Sequence, residues 1–180
     1  MSSTGQAPVV GLSVPTDADI PLIARWLQSD HVRHYWGDPE ENLSLISDPR
    51  SSSHRALILA YGQKVGLILW QHPSREELDE AGLNEVPTSV IDIDMMIGDE
   101  SAAGRGIGSA AIRLVAELAL ADSAVPYVIA ATSTSNTASR KALAKAGFGE
   151  AREFDDPICG RCVLMVLQRS GTVLPEGDMS

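Results

Sequence analysis

Apolar and polar positions along the chain change period several times, and each change marks an element. Ile91, Ile93, Met95 and Ile97 alternate with Asp92, Asp94 and Met96, the period-two pattern of a strand. From Ile107 the apolar positions recur at three and four, through Ala110, Ala111, Leu114, Val115, Leu118 and Ala119, which predicts a helix to about Ala121. Between the two stands Gly104-Arg105-Gly106-Ile107-Gly108, a glycine-rich turn. Upstream, residues 9–14 read as a strand, and Thr16-Asp17-Ala18-Asp19 caps a helix carrying Ile20, Ile23, Ala24 and Leu27. Residues 40–53 read as a helix and loop broken at Asp48-Pro49, and residues 56–60 and 64–70 as a hairpin around Tyr61-Gly62-Gln63. Residues 72–89 form a long charged excursion with a short helix expected over 76–81. Downstream, residues 127–131 read as a strand. Asn136 then caps a helix with Ala138, Leu143 and Ala146, Gly147 ends it, and residues 150–154 and 161–168 close the chain as a hairpin. This order predicts one mixed α/β domain over residues 9–168, with residues 1–8 a disordered start and 169–180 a tail.

Composition narrows the class. A chain of 180 residues, 44% hydrophobic and 21% charged, suits one soluble globular domain with an adequate core. No apolar run has the length of a membrane span, and residues 1–10 lack the basic and apolar regions of a leader. The net charge of −10 argues against nucleic acid as a partner. The acids are unevenly placed: residues 72–100 hold nine of them against the single base Arg75. A solvated acidic loop and an electrostatic funnel for a polyamine both fit that pattern. Cys159 and Cys162 have C-x-x-C spacing, but a zinc site needs two further ligands. They read as reduced, incidental thiols, and the cytoplasm follows as the default compartment. His31 and His34 lack a carboxylate to complete a metal set, so no metal is expected. With Tyr35 and Trp36 they read as an aromatic wall over a substrate cleft, while Trp26 and Trp70 read as core.

The glycine turn presents backbone N–H groups at a helix N-terminus, a geometry that binds anions, and Arg105 adds a cation. The Lys-Ser/Thr of a P-loop and the third glycine of a dinucleotide fingerprint are both missing. Taken alone, these glycines fit a turn without a ligand equally well. Asp92 and Asp94 fall on one strand face, where two carboxylates side by side are costly unless a cation or a shared proton compensates them. A bound cationic amine would supply that cation.

Together with Ser135-Asn136 … Lys145-Ala146-Gly147-Phe148, the turn resembles the GNAT N-acetyltransferases. The segments Asp17-Ala18-Asp19 … Trp26-Leu27 … His31-Val32 … Trp36-Gly37, Ile93-Asp94-Met95-Met96-Ile97-Gly98 and Val163-Leu164-Met165-Val166 narrow the likeness to aminoglycoside 6'-N-acetyltransferases, over roughly residues 12–168. The resemblance implies a mixed, mostly antiparallel sheet, splayed at an acetyl-coenzyme A site and flanked by helices. It implies acetyl-coenzyme A as co-substrate, held by Gly104, Arg105, Gly106, Ile107, Gly108 and Ser109, with Met96, Ile97 and Asn136 along the slot. A backbone N–H around Met96 would hold the acetyl carbonyl, and Asp94 would touch the amine as the family's proposed base. Tyr35, Trp36, Asp92, Asp155 and Asp156 complete the expected site for a cationic acceptor. The chain departs from the family at Leu143, where a tyrosine is usual, and at Ala131 and Cys159, where acids are usual. Another acceptor (a siderophore precursor or a protein N-terminus) and a non-catalytic acyl-coenzyme A-binding module stay open as readings. A homodimer is compatible with the fold.

Overall fold

The computed structural model describes residues 8–170, so the expected disordered start and tail fall almost wholly outside the described residues. Strand β1 (Val10–Ser13) is followed by helices α1 (Ile20–Gln28), α2 (Asp30–Trp36) and α3 (Pro39–Ser47). The hairpin β2 (His54–Ala60) and β3 (Gln63–Gln71) comes next, then α4 (Arg75–Glu80), β4 (Ile91–Ile97), α5 (Ile107–Leu120) and β5 (Tyr127–Ser133). Helix α6 (Thr137–Ala146) and the hairpin β6 (Gly149–Asp156) and β7 (Gly160–Gln168) complete the chain. A 3-10 turn over Asp17–Asp19 precedes α1, because Thr16 and Asp19 cap each other: the Thr16 N–H donates to Asp19 Oδ2 at 2.9 Å. Residues 30–36, read in sequence only as an aromatic stretch, are helical.

The strands form one seven-stranded sheet in the order β1-β2-β3-β4-β5-β7-β6. All neighbours are antiparallel except β4 and β5. That parallel pair is joined only at Ile91–Val128 and Asp92–Ile129. Beyond those residues the two strands part, which is the splay the resemblance implies.

Period-two alternation sends the two faces of the sheet to different cores. On one face Ile91, Ile93, Val128, Ala130 and Val163 pack under Ile107, Ala111, Ile112 and Val115 of α5 and Leu143 of α6. The other face is shared by two covers. Ile23, Trp26, Leu27, Val32 and Ile46 of α1–α3 lie over Leu57, Leu67 and Met96. Leu78, Leu83, Val86 and Val90 of the 72–90 excursion lie over Ile129, Phe154, Cys162 and Leu164. On the same face of β4, between the two covers, Asp94 is exposed while Asp92 is partly buried.

Candidate active site

The parting of β4 from β5 leaves main-chain groups without a ladder partner, and the register identifies them. The Gly98 N–H donates to the Val65 carbonyl at 2.9 Å, while Gly66 faces Ile97 and Leu67 faces Met96. Successive residues of a strand turn their N–H and C=O to opposite edges. Asp92, Asp94 and Met96 therefore direct theirs to β3, and Ile93, Met95 and Ile97 direct theirs into the gap. At its far end His31 Nε2 lies 2.9 Å from the Ile97 carbonyl oxygen, which ties α2 to β4. This corrects the expectation at Met96. Its side chain is buried in the α1–α3 core and its backbone serves the β3 ladder, so the amides facing the gap are those of its neighbours Met95 and Ile97.

A cleft of about 580 Å³ opens through this gap, within the range of small-molecule sites. Asp92, Ile93, Asp94 and Met95 form its floor. One wall is His34, Tyr35 and Trp36 of α2 with Asn42 of α3, and the other is Ala131, Thr132 and Ser133 of β5 with Ser135, Asn136 and Ser139 at the start of α6. The walls meet where the Tyr35 hydroxyl reaches the Ser135 carbonyl at 3.4 Å. Asn136 serves as the α6 cap, its Oδ1 accepting from the Ser139 N–H at 3.1 Å. The three positions at which the chain departs from the family (Ala131, Leu143 and Cys159) all line this cleft.

The floor is electrostatically unusual. Burial, then Asp94 and Glu77, push the Asp92 carboxyl well above its ordinary range. Burial, then Glu77, push Asp94 up as well. By accessible surface Asp94 is exposed, since the cleft opens over it, although protein crowds its carboxyl from the other sides. The open mouth governs both substrate access and screening, so the upward push on Asp94 is the weaker of the two. Asp92 Oδ1 is sealed from solvent and has no hydrogen-bond partner.

The glycine turn lies beside this cleft, outside its lining. Each glycine has its own reason. Gly104 and Gly106 have φ of +72° and +77°, which side chains disfavour. At Gly108 a Cβ would lie 2.9 Å from Met95 Cε, so its absence lets α5 approach β4. Gly106 is the N-cap of α5, and no side chain caps that helix. The first N–H groups, of Ile107, Gly108 and Ser109, thus have no acceptor within the helix. The Ser109 hydroxyl turns inward and donates to the Gly106 carbonyl at 3.0 Å. From the end of α6, Lys145 brings its Nζ to 3.1 Å of the point a Gly106 Cβ would occupy. A lysine ammonium at the positive end of a helix is unfavourable unless an anion joins them. Exposed Arg105 supplies a second cation, so the residues present fit a phosphorylated co-substrate.

Asp155 and Asp156 separate. Asp156 lines the cleft, its Oδ1 accepting from the Ile158 and Cys159 N–H groups at 2.8 and 2.7 Å. Asp155 pairs with Arg161 at 3.1 Å and lies outside the cleft lining, because neighbours in a strand face opposite sides. Burial, followed by Asp156, raises the Cys159 thiol, and burial, followed by Cys159, pushes Cys162 up to about 11, so both rest protonated. His34 lines the cleft on the aromatic wall read from the sequence, whereas sequence reasoning missed Asn42, Ser139, Glu77 and the position of the Lys145 ammonium over the glycine turn. Glu77 had a signal: Ser74 and Glu77 form a capping box, which marks the start of α4.

A splayed sheet, an uncapped helix beside the splay and an acidic floor define a class of acyl-transfer fold. The acetyltransferase (GNAT) domain family matches residues 15–156, and the chain belongs to it. It is an acetyl-coenzyme A-dependent N-acetyltransferase of the GNAT type. Among its relatives, the aminoglycoside N(6')-acetyltransferase type 1 of Klebsiella pneumoniae is 24% identical over 169 residues, covering 89% of this chain and 83% of that protein. A protein of the same name from Serratia marcescens matches equally. The crystal structure of aminoglycoside acetyltransferase AAC(6')-Ib with coenzyme A superposes with a TM-score of 0.77 at 24% identity, covering 89% of this chain and 95% of that one. RimJ of Mycobacterium smegmatis, solved with CoA-disulfide, gives 0.67 at 20% identity, over 89% and 82% of the two chains. Among the described residues no helix is long and apolar enough to cross a membrane.

Proposed function

We propose that this enzyme acetylates a primary amine of a cationic small molecule, with the 6'-amine of an aminoglycoside as the acceptor to test first. One observation carries the reading: Asp94 stands on an open acidic floor at the splay, beside a helix N-terminus suited to phosphate. The curated relatives named as aminoglycoside N(6')-acetyltransferases support the acceptor class. Ala131 and Cys159 favour a second reading, a smaller cationic amine, because the far wall carries no acid at those two positions.

Bound acetyl-coenzyme A supplies the activated acetyl group. The N–H groups of Ile107, Gly108 and Ser109, with Lys145 and Arg105, hold its phosphates. The Met95 and Ile97 amides face the position at which negative charge develops on the acetyl oxygen. Asp94 orients the acceptor ammonium and takes part in its deprotonation. An amine of pKa about 8 costs roughly 1.4 kcal/mol to deprotonate at pH 7, and one near 10.4 about 4.6 kcal/mol. A carboxylate at its ordinary pKa of about 3.9 is a feeble acceptor for that proton. Burial and Glu77 act in the needed direction by raising Asp94. A leaving thiol of pKa near 8.5 departs tolerably without an acid, which is consistent with Leu143 in place of a tyrosine.

Release of free thiol from acetyl-coenzyme A, measured against aminoglycosides, polyamines and lysine derivatives, tests the proposal. Turnover of a 6'-amino aminoglycoside, with no turnover of its 6'-hydroxyl counterpart, is the expected result. Binding of acetyl-coenzyme A without thiol release from any amine would leave an acyl-coenzyme A-binding module.

A further inference from the structure

Three polar side chains are buried among the described residues: Asp19, Ser109 and Thr132. Asp19 pairs with Lys64, and the Ser109 hydroxyl donates to the Gly106 carbonyl. The Thr132 hydroxyl has no hydrogen-bond partner among the described residues, although Thr132 is only 7% exposed. Buried hydroxyls are paired in the large majority of cases. This one is not sealed off: Asp92 Oδ1 is the single buried side-chain oxygen, among the described residues, that is both closed to solvent and unpartnered. What is open of Thr132 is therefore open to the cleft it lines.

Strand alternation fixes which side of the sheet Thr132 serves. It pairs with Val163 and follows Val128 and Ala130, all of which face α5 and α6. Met95 of β4, Ile112 of α5 and Leu143 of α6 line the cleft on that face, whereas Asp92, Asp94 and Ala131 line it on the other. The cleft thus passes between the parted strands, from the acidic floor to an apolar chamber under α5 and α6. Thr132 is the buried polar side chain of that chamber; Ser139, a turn before Leu143 in α6, is only half-buried.

The glycine turn opens α5, so a thioester anchored there meets the acidic floor through this chamber. Transfer forms the amide C–N bond and breaks the C–S bond. The proton of the amine leaves on the Asp94 side, and the electron pair of the broken bond stays on sulfur. A thiol of pKa about 8.5 departs tolerably in water, but apolar surroundings raise its pKa and disfavour the thiolate. The Met95 and Ile97 amides serve the acetyl oxygen, and no Lys or Arg lines the cleft. We propose that the Thr132 hydroxyl donates a hydrogen bond to the departing coenzyme A sulfur and stabilises it as thiolate until solvent protonates it. This rests on acetyl-coenzyme A placing its thioester at the splay, and is independent of which amine accepts. An alcohol is too weak an acid to give up its own proton here, so Thr132 is a donor and not the proton source.

Ultraviolet absorbance of the thiolate, read as the difference between complexes with coenzyme A and with desulfo-coenzyme A, gives the pKa of the bound thiol without acceptor or turnover. His34 and Tyr35 of α2, Asp92 and Asp94 of β4, and Asp156, Cys159 and Cys162 of the last hairpin also surround the cleft. They act alike in wild type and variant, so the difference isolates the hydroxyl. Thr132→Val, which keeps the shape and removes the hydroxyl, raises that pKa by about one unit, a tenfold loss of thiolate. Thr132→Ser, which keeps the hydroxyl, stays within about 0.3 unit of wild type. With any accepted amine, kcat falls about tenfold in Thr132→Val while KM for acetyl-coenzyme A changes less than about twofold. Thr132→Ala serves if Thr132→Val does not fold. An unchanged thiol pKa in Thr132→Val, or the same rise in Thr132→Ser, overturns the proposal. Calorimetry of coenzyme A binding to the same proteins separates the two readings. Binding without the shift removes Thr132 and leaves the transferase, whereas the shift without thiol release from any amine keeps the hydrogen bond and fails the transfer. Absence of coenzyme A binding overturns both.

Discussion

Asp94 and Asp92 are two residues apart and differ in task because their surroundings differ. Asp94 meets solvent through the mouth of the cleft, whereas Asp92 has an oxygen sealed beneath it. Replacing Asp94 with Asn removes the charge that orients the amine, and kcat/KM for a cationic acceptor should fall about ten- to a hundredfold. A change below threefold in steady-state kinetics would remove Asp94 from the mechanism. Asp92 makes a prediction about stability whose sign follows from its upward shift. A carboxyl that binds its proton more tightly folded than unfolded favours the fold below its unfolded value. That contribution declines as pH rises from 3.8 towards the folded value. Asp92→Asn escapes the decline. Its melting temperature should match wild type near pH 4 and exceed it at pH 8 by about 2–4 °C, as expected for about 1 kcal/mol in a domain of this size. Thermal denaturation at the two pH values checks this. The presence of both acids on one strand face was legible from alternation alone. The loss of a hydrogen-bond partner by one of them was not, since it depends on which covers close over that face.

At the scale of elements, the turn between β4 and α5 was legible because glycine has few substitutes where φ is positive or a neighbour lies too close. Gly106→Ala should cost about 1–2 kcal/mol from its left-handed conformation, and it should raise the KM for acetyl-coenzyme A because the new methyl displaces Lys145. Lys145→Ala should raise that KM three- to tenfold, with a smaller effect on the amine; initial-rate kinetics with each substrate varied in turn tests both variants. Lys145 is remote from the turn in sequence, and only the packing of α6 beside α5 puts its ammonium there. The register error at Met96 has the same origin. Alternation says which side chains share a face, but the pairing with β3, seen in the Gly98 bond to Val65, decides which amides are left over. Asp155 and Asp156 could not be distinguished in sequence either, until Arg161 on the facing strand drew the first one outward.

Across the whole molecule the acidic excess gathers where the chain offers few bases, in the excursion and strand of residues 72–100. Such a field draws cations from a distance and is screened by salt. The KM for a cationic acceptor should therefore rise severalfold between low and high ionic strength, while turnover at saturation changes little; the same assay with added sodium chloride measures it. The order of elements, their periods and caps, and the two motifs on either side of the slot were set by local physics: side-chain period, capping chemistry and backbone freedom at glycine. These let the sequence alone determine one mixed α/β domain, while the splay and the class of reaction came from the resemblance that the two motifs carry. The site itself is the uncovered strip between α1–α3 and the 72–90 excursion, and it exists because two distant segments each roof part of one face and leave β4 bare. Where covers stop is a matter of packing between segments far apart in the chain. For that reason the sealed, unpaired Asp92 oxygen and the lysine over the glycine turn were decided only by the tertiary structure.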